Sequence, residues 1–130
     1  MPDATSISDL PDREKLLTMS GFDFMCAIRD GAIPRPPISR VLNCHLAEVL
    51  DGEVTFVGTP EFDHTNPMGT LHGGWYGAML DSCMSCAVMT KVPKGSIYTT
   101  LEYKVNITRS IPMGMEVAAR GWVQHVGRST

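Results

Sequence analysis

The alternation of apolar and polar residues along the chain predicts where it forms strands. Over residues 98–109 the odd positions are mostly apolar and the even positions mostly polar, which is typical of a half-buried strand. The apolar face carries Leu101, Tyr103, Val105 and Ile107. After a turn at Pro112-Met113-Gly114, a last strand is predicted over residues 115–126.

A hairpin is predicted nearer the middle of the chain. Residues 41–50 and 53–59 are rich in strand-forming side chains. The Asp51-Gly52 pair between them is the sequence expected of a two-residue hairpin turn.

Residues 73–90 have the spacing of a long helix. Apolar side chains cover most of its circumference: Trp75, Met79, Leu80, Cys83, Met84, Ala87 and Val88. Such a helix is expected to be buried on nearly all sides. A long buried helix with strands before and after it predicts a sheet wrapped around a helix, in the α+β class.

The first 37 residues are expected to be an N-terminal helical segment and connector, ahead of one domain over residues 38–130. Residues 1–9 are predicted to be disordered, and residues 12–30 form one or two short helices that stop at Gly31. The connector contains Pro34, Pro36 and Pro37, which cannot lie inside a helix.

Composition narrows the possible partners and location. The 130 residues carry 11 basic and 14 acidic side chains, which argues against a general nucleic-acid binder. No apolar run approaches the ~18 residues of a membrane helix. The polar N-terminus is no export signal and the four cysteines suggest no disulfide framework, so a cytoplasmic location is expected.

The loop before the long helix is the strongest candidate for chemistry. It has the sequence Asn66-Pro67-Met68-Gly69-Thr70-Leu71-His72-Gly73-Gly74. A helix start presents unpaired N–H groups, and glycine lets a ligand approach them. Nine residues after His72, Asp81 stands among apolar neighbours, where a carboxylate is expected to be functional. A polarised carbonyl and a positioned carboxylate are what acyl transfer or hydrolysis requires.

Three motifs together resemble a known family. They are Asn66-Pro-x-Gly-x-x-His72-Gly73-Gly74, Leu80-Asp81 and Tyr98-Thr99-Thr100-Leu101-Glu102-x-Lys104-Val105-Asn106. Over about residues 38–130 the chain is similar to hotdog-fold thioesterases of the phenylacetate-degradation (PaaI-like) type. The resemblance implies a five-stranded antiparallel sheet around a central helix and a homodimer with a continuous sheet, expected to pair into a dimer of dimers. It also implies hydrolysis of acyl-coenzyme A thioesters.

The resemblance also assigns roles to the site residues. His72 would orient the substrate carbonyl, the Gly73 amide would form the oxyanion hole, and Asp81 would be the general base or nucleophile. Asn66 would help to hold the water or the thioester, although an Asx turn before Pro67 is an equal alternative.

Further residues are candidates for substrate binding. Gly74 at the helix start, Thr100 and Glu102 on the predicted strand, and Arg128 with Ser129 in the terminal turn are expected to contact the substrate. Arginine suits the phosphates of coenzyme A, but a plain surface turn explains Arg128 equally well. No metal and no separate cofactor are expected.

Several alternatives stay open at this stage. A non-catalytic acyl-CoA-binding hotdog protein and a hotdog hydratase or dehydratase are both compatible with the motifs. A redox pair of Cys83 and Cys86 is disfavoured because both lie well inside the helix, away from its N-terminus. Since related chains continue into another strand after the Gly-Arg-Ser/Thr turn, either the chain is truncated at Thr130 or its sheet lacks an edge strand.

The spacing of the candidate residues predicts a site shared by two chains. Gly73 and Asp81 are eight residues apart on one helix, which separates them by ~12 Å along the axis. A bound carbonyl must lie ~3 Å from its donors. Two such helices packed antiparallel about a twofold axis would bring Asp81 of one chain to Gly73 of the other.

Overall fold

The computed structural model describes residues 2–130 and contains four α-helices and one antiparallel sheet. The elements are α1 (Arg13–Leu17), α2 (Gly21–Arg29), α3 (Pro37–Val41), β1 (Cys44–Leu50), β2 (Glu53–Gly58), α4 (Gly73–Met89) and β3 (Val117–Trp122). Short 3-10 turns occur at Ile7–Asp9 and Phe62–His64. None of the helices within residues 2–130 is long and apolar enough to cross a membrane.

The hairpin forms at the predicted turn. Leu50 pairs with Glu53 across Asp51-Gly52, and Gly52 has a φ of 82°, which a glycine adopts without strain. The hairpin is shorter at its start than expected, because residues 37–41 form α3 instead. Pro37 occupies the first turn of that helix, where its missing N–H costs nothing, and so the proline connector contains a helix start.

The sheet has the order β1-β2-β3, with both pairs antiparallel. Strand β2 is central, and its inward-facing side chains Val54 and Phe56 are buried in the core beside α4. Close approach of α4 to β3 depends on Gly121, where a Cβ atom would lie 2.5 Å from the carbonyl oxygen of Cys83. The helix therefore lies on one face of the sheet, as expected of a hotdog fold.

The predicted strand over residues 98–109 does not form, and three strands are present among residues 2–130 instead of five. The segment passes beside α4, with the Tyr103 hydroxyl near Gly77 and Ile107 near Gly73. A cavity of about 250 Å³ lies between residues 105–109 and the start of β3. A strand needs a neighbour for its backbone groups, and this segment has none in the sheet.

Two further expectations were wrong. Residues 2–9 are not a disordered tail: Ala4 is 1% exposed, and Asp3 forms an ion pair with Arg35 at 2.7 Å. Met1 lies outside the described residues. Helix α4, expected to be buried on nearly all sides, is less buried than that, since Met84 and Val88 on one face are 38% and 40% exposed. Because Met84 and Val88 follow Asp81 by three and seven residues, the three side chains share this open face.

Candidate active site

Helix α4 begins with a histidine cap. His72 is the N-cap residue, and its Nδ1 accepts a hydrogen bond from the Gly74 N–H at 2.8 Å. Because Nδ1 accepts, the neutral ring carries its proton on Nε2, which provides a second donor away from the cap. The histidine is exposed, so this donor is accessible to a ligand.

The start of α4, formed by His72, Gly73 and Gly74, is called the corner below. The Gly73 amide is its free hydrogen-bond donor. Gly74 N–H is bound to His72 and Trp75 N–H to the His72 carbonyl, whereas Gly73 N–H enters none of the hydrogen bonds formed by residues 2–130. Gly73 is exposed, and the nearest atom to a Cβ there would be Ile107 Cδ1 at 3.7 Å. The corner therefore presents one unpaired N–H at the positive end of the helix dipole.

Asn66 closes the preceding loop. Its Oδ1 accepts from Met68 N–H at 3.0 Å and Thr70 N–H at 3.2 Å, and its Nδ2 donates to Thr70 Oγ1 at 2.8 Å. Of the two roles considered for Asn66, the turn is the one present in the structure. Its part in holding water or substrate stays a prediction.

Asp81 lies at the middle of α4 and is half-buried instead of fully buried. Thr100 donates its hydroxyl to Asp81 Oδ1 at 3.0 Å, which ties the segment over residues 98–109 to the helix and orients the carboxylate. The other oxygen remains available to a water or substrate. Thr100 is thus in contact with Asp81, whereas Glu102 is exposed and forms no side-chain hydrogen bond within residues 2–130.

The structure does not bring all candidates together in one chain. Arg128 and Ser129 lie in an exposed turn closed by a bond from Gly127 N–H to the Thr130 carbonyl at 2.6 Å. Gly73 and Asp81 both belong to α4, so their separation along the axis is ~12 Å, far beyond the ~3 Å reach of an oxyanion donor. Within one chain the Gly73 amide and the Asp81 carboxylate are therefore too far apart to act on the same carbonyl group.

The cysteines of α4 lie among apolar groups. Burial raises the pKa of Cys83 to about 11. Burial, with smaller contributions from Cys83 and Asp81, raises the pKa of Cys86 to about 12. Neither thiol is activated as a nucleophile, which argues against a redox pair.

Sequence reasoning missed the polar anchors beneath the corner. Trp75 donates its indole N–H to the Leu42 carbonyl at 3.0 Å, and the Tyr76 hydroxyl accepts from Ile111 N–H at 2.9 Å. The available signal was the residue type, because buried tryptophan and tyrosine need a partner for their polar atoms.

The candidate residues fall mainly in a segment that matches a family model. Residues 68–130 match the model described as the thioesterase superfamily, and this segment contains His72, Gly73 and Asp81. These 63 of the 130 residues are similar to the thioesterase superfamily. The fold of the chain is the PaaI-like hotdog fold, and the similarity to this superfamily supports thioester hydrolysis as the general activity. No curated protein matches the sequence.

Several solved structures resemble this chain. A phenylacetic acid degradation-related protein from Ralstonia eutropha JMP134 has a TM-score of 0.73 at 23% identity, over 81% of this chain and 80% of that one. A thioesterase family protein from Silicibacter pomeroyi has a TM-score of 0.70 at 25% identity, over 80% and 76%. A point mutant of the phenylacetic acid degradation protein PaaI from Thermus thermophilus has a TM-score of 0.64 at 27% identity, over 71% and 76%.

Proposed function

We propose that the chain hydrolyses acyl-CoA thioesters to a free acid and coenzyme A. The observation that carries this proposal is the unpaired Gly73 N–H at the exposed start of α4. A thioester carbonyl oxygen accepts this N–H and gains negative charge as the tetrahedral intermediate forms, which the amide and the helix dipole stabilise. The His72 Nε2–H is a second donor that orients the same carbonyl.

The proposed carboxylate is Asp81, held by Thr100. As general base it takes a proton from water while the water oxygen bonds to the carbonyl carbon; the carbon–sulfur bond then breaks and coenzyme A leaves as the thiolate. As nucleophile its free oxygen bonds to the same carbon, the carbon–sulfur bond breaks to release the coenzyme A thiolate, and water then hydrolyses the resulting mixed anhydride. After a single turnover in ¹⁸O-labelled water, ¹⁸O in the Asp81 side chain identifies the second route, with water attacking the aspartyl carbon of the anhydride.

The proposed site lies between two copies of the chain. Helix α4 exposes Met84 and Val88 beside Asp81, and the segment over residues 98–109 exposes Leu101, which is 87% accessible. An apolar surface of this kind around a carboxylate favours a second copy as its cover. Antiparallel packing of two α4 helices would set Asp81 of one chain opposite Gly73 of its partner and so overcome the ~12 Å separation within one chain.

The remaining binding residues belong to the same proposal. Gly74 lets the acyl group approach the helix start, while Arg128 and Ser129 would contact phosphate oxygens of coenzyme A. Glu102 stands on the segment that passes beside α4 and would face the substrate from that side. Asn66 supports the corner through its loop. A dimer of dimers and a cytoplasmic location stay predictions.

The function is tested by thiol release from a panel of acyl-CoA substrates. The wild-type protein is expected to release coenzyme A, and Asp81→Ala is expected to lower turnover by at least ~10²-fold, the contribution of a positioned general base. Circular dichroism and urea unfolding must show that the variant is folded. Absence of thiol release by the wild-type protein would favour a binding protein or a hydratase, and near-normal turnover by folded Asp81→Ala would remove Asp81 from the mechanism.

The shared site is tested by complementation. Asp81→Ala and Gly73→Pro are each expected to be inactive, but a heterodimer would contain one site with both groups intact. Since half of the dimers in an equal mixture are heterodimers and each has one of two sites restored, about a quarter of normal activity should return. No recovery in a sample whose heterodimers are confirmed by native mass spectrometry would place the site within one chain.

A further inference from the structure

His64 connects the candidate loop to the N-terminal part of the domain. It ends the 3-10 turn Phe62–His64, and both of its ring nitrogens are engaged. Nδ1 accepts from Glu61 N–H at 2.8 Å, so Nε2 carries the proton and donates to the Val41 carbonyl at 2.6 Å. Val41 is the last residue of α3, where carbonyl groups lack partners within the helix.

The backbone carbonyl of His64 holds the corner in place. The His64 carbonyl accepts from His72 N–H at 2.9 Å, and Thr65 forms a bridge with Leu71 immediately inside this bond. The loop from 65 to 71 is therefore closed at its base by His64. Any displacement of His64 is passed directly to the N-cap residue of α4.

Two adjacent carbonyl groups anchor the corner on either side. Val41 accepts from His64, which precedes the corner, and Leu42 accepts from the indole of Trp75, which follows it. The two rings also pack together, with centroids 6.2 Å apart. His64 and His72 line one cavity of about 240 Å³ beside the corner, so the ring supports the site from within the loop.

We propose that His64 is a positioning residue for the hydrolysis, acting through its bond to Val41 and its carbonyl bond to His72. This inference rests on the proposed function, because it concerns the placement of the Gly73 amide. Both ring nitrogens of His64 are bound to Glu61 and Val41, so the ring acts on the proposed thioester through the residues that it holds. Its bond to Val41 fixes the corner relative to the scaffold with the precision that an oxyanion donor requires.

Two variants separate the bonds of the ring. In His64→Asn the side-chain oxygen replaces Nδ1 and keeps the bond to Glu61, but the side chain is too short to reach Val41. In His64→Gln the side-chain amide replaces Nε2 and keeps the donor to Val41. We expect His64→Asn to lower kcat by about tenfold or more while KM stays nearly unchanged. This fall corresponds to a loss of ~1.4 kcal/mol or more in transition-state stabilisation. His64→Gln is expected to keep most of the wild-type kcat. His45→Asn, at a histidine of β1 with no side-chain hydrogen bond within residues 2–130, is the matched control.

A second readout does not depend on activity. In ¹⁵N-glycine-labelled protein, the Gly74 amide reports the cap, because it is bound to His72 Nδ1. Its hydrogen exchange should rise in His64→Asn and stay near wild-type in His64→Gln and His45→Asn. Wild-type kcat and wild-type Gly74 protection in His64→Asn would overturn the proposal, as would equal losses of kcat and protection in both His64 variants. If the wild-type protein releases no thiol, the proposed function fails, while the exchange measurement still decides whether His64 holds the corner.

Discussion

Replacing Gly73 by proline removes one N–H from the proposed oxyanion hole and leaves the helix start intact. Proline is favoured at the first position of a helix, where its missing donor has no partner within the helix. The preceding residue must be extended, and His72 already is, with φ −64° and ψ 134°. No hydrogen bond among residues 2–130 uses the Gly73 N–H, so its removal leaves no acceptor unpaired.

The expected magnitudes have opposite signs for stability and for activity. A proline in a compatible backbone restricts the unfolded chain and stabilises a protein by ~0.4–1 kcal/mol. Removal of one oxyanion donor lowers kcat by ~10²–10³-fold, equivalent to ~2.7–4 kcal/mol of transition-state stabilisation. Gly73→Pro should therefore unfold at the same or higher urea concentration than the wild-type protein and have a greatly reduced kcat.

Gly73→Ala is the control for added bulk. It keeps the N–H and adds a Cβ atom that would lie 3.7 Å from Ile107 Cδ1, an ordinary contact. Because a helical Cβ is tilted toward the N-terminus, it projects into the space proposed for the thioester and should raise KM. Thiol-release kinetics and urea unfolding of the three proteins measure both effects. A folded Gly73→Pro protein with wild-type kcat, or the same kcat in both variants, would refute the oxyanion role of the amide.

Three more predictions follow from contacts around α4. In Gly74→Ala the new Cβ would lie 2.9 Å from His72 Nδ1, so the histidine cap must shift. The free energy of unfolding in urea should fall by ~1 kcal/mol, and kcat should fall as well. Wild-type values of both would contradict the role of His72 as the helix cap. Thr100→Val should lower kcat about tenfold by removing the donor to Asp81, a bond to a charged group worth ~1.5–3 kcal/mol, and Thr100→Ser should restore it; equal kcat in both variants would argue against this bond. The pKa of Cys86 is raised from 9.0 to about 12 in the folded protein, so between these values the unfolded chain loses the proton first. The free energy of unfolding therefore falls as pH rises, by at most ~1.4 kcal/mol per pH unit. Cys86→Ser should reduce this fall above pH 9, as measured by urea unfolding, and an unchanged pH dependence would contradict the prediction.

Local signals were sufficient for the hairpin and for the long helix. Asp51-Gly52 encodes its turn through the positive φ of glycine, and the apolar spacing after Gly73 encodes the helix without reference to any distant residue. The cap is also local, because His72 and Gly74 are two residues apart. These features are accessible from the sequence because each depends on a few neighbouring residues.

Contacts between distant residues could not be predicted in the same way. The order at the N-terminus depends on Asp3 meeting Arg35, and the anchoring of the corner depends on His64 meeting Val41, pairs that are 32 and 23 residues apart. Nothing in the local composition of residues 1–9 distinguishes an ordered arm from a disordered one. Thr100 was identified as a candidate from the motif resemblance, and the structure supplied its hydrogen bond to Asp81.

The missing strand shows why a pattern can place some side chains correctly and still predict the wrong element: Tyr103 and Ile107 lie against α4 as an apolar face should, but Leu101 is 87% exposed. Alternating apolar and polar residues over 98–109 require only that the two sides of the segment meet different surroundings. Here one side meets helix α4, since Tyr103 lies near Gly77 and Ile107 near Gly73. A strand further requires a neighbour that exchanges backbone hydrogen bonds, and periodicity contains no information about that neighbour. The same segment presents Thr100 to Asp81 and leaves Leu101 exposed beside it. The segment thus orients the Asp81 carboxylate and extends the apolar surface around it. For this reason we place the proposed reaction at a contact between two copies of the chain. The complementation test therefore pairs a variant at the start of α4, Gly73→Pro, with one at its middle, Asp81→Ala.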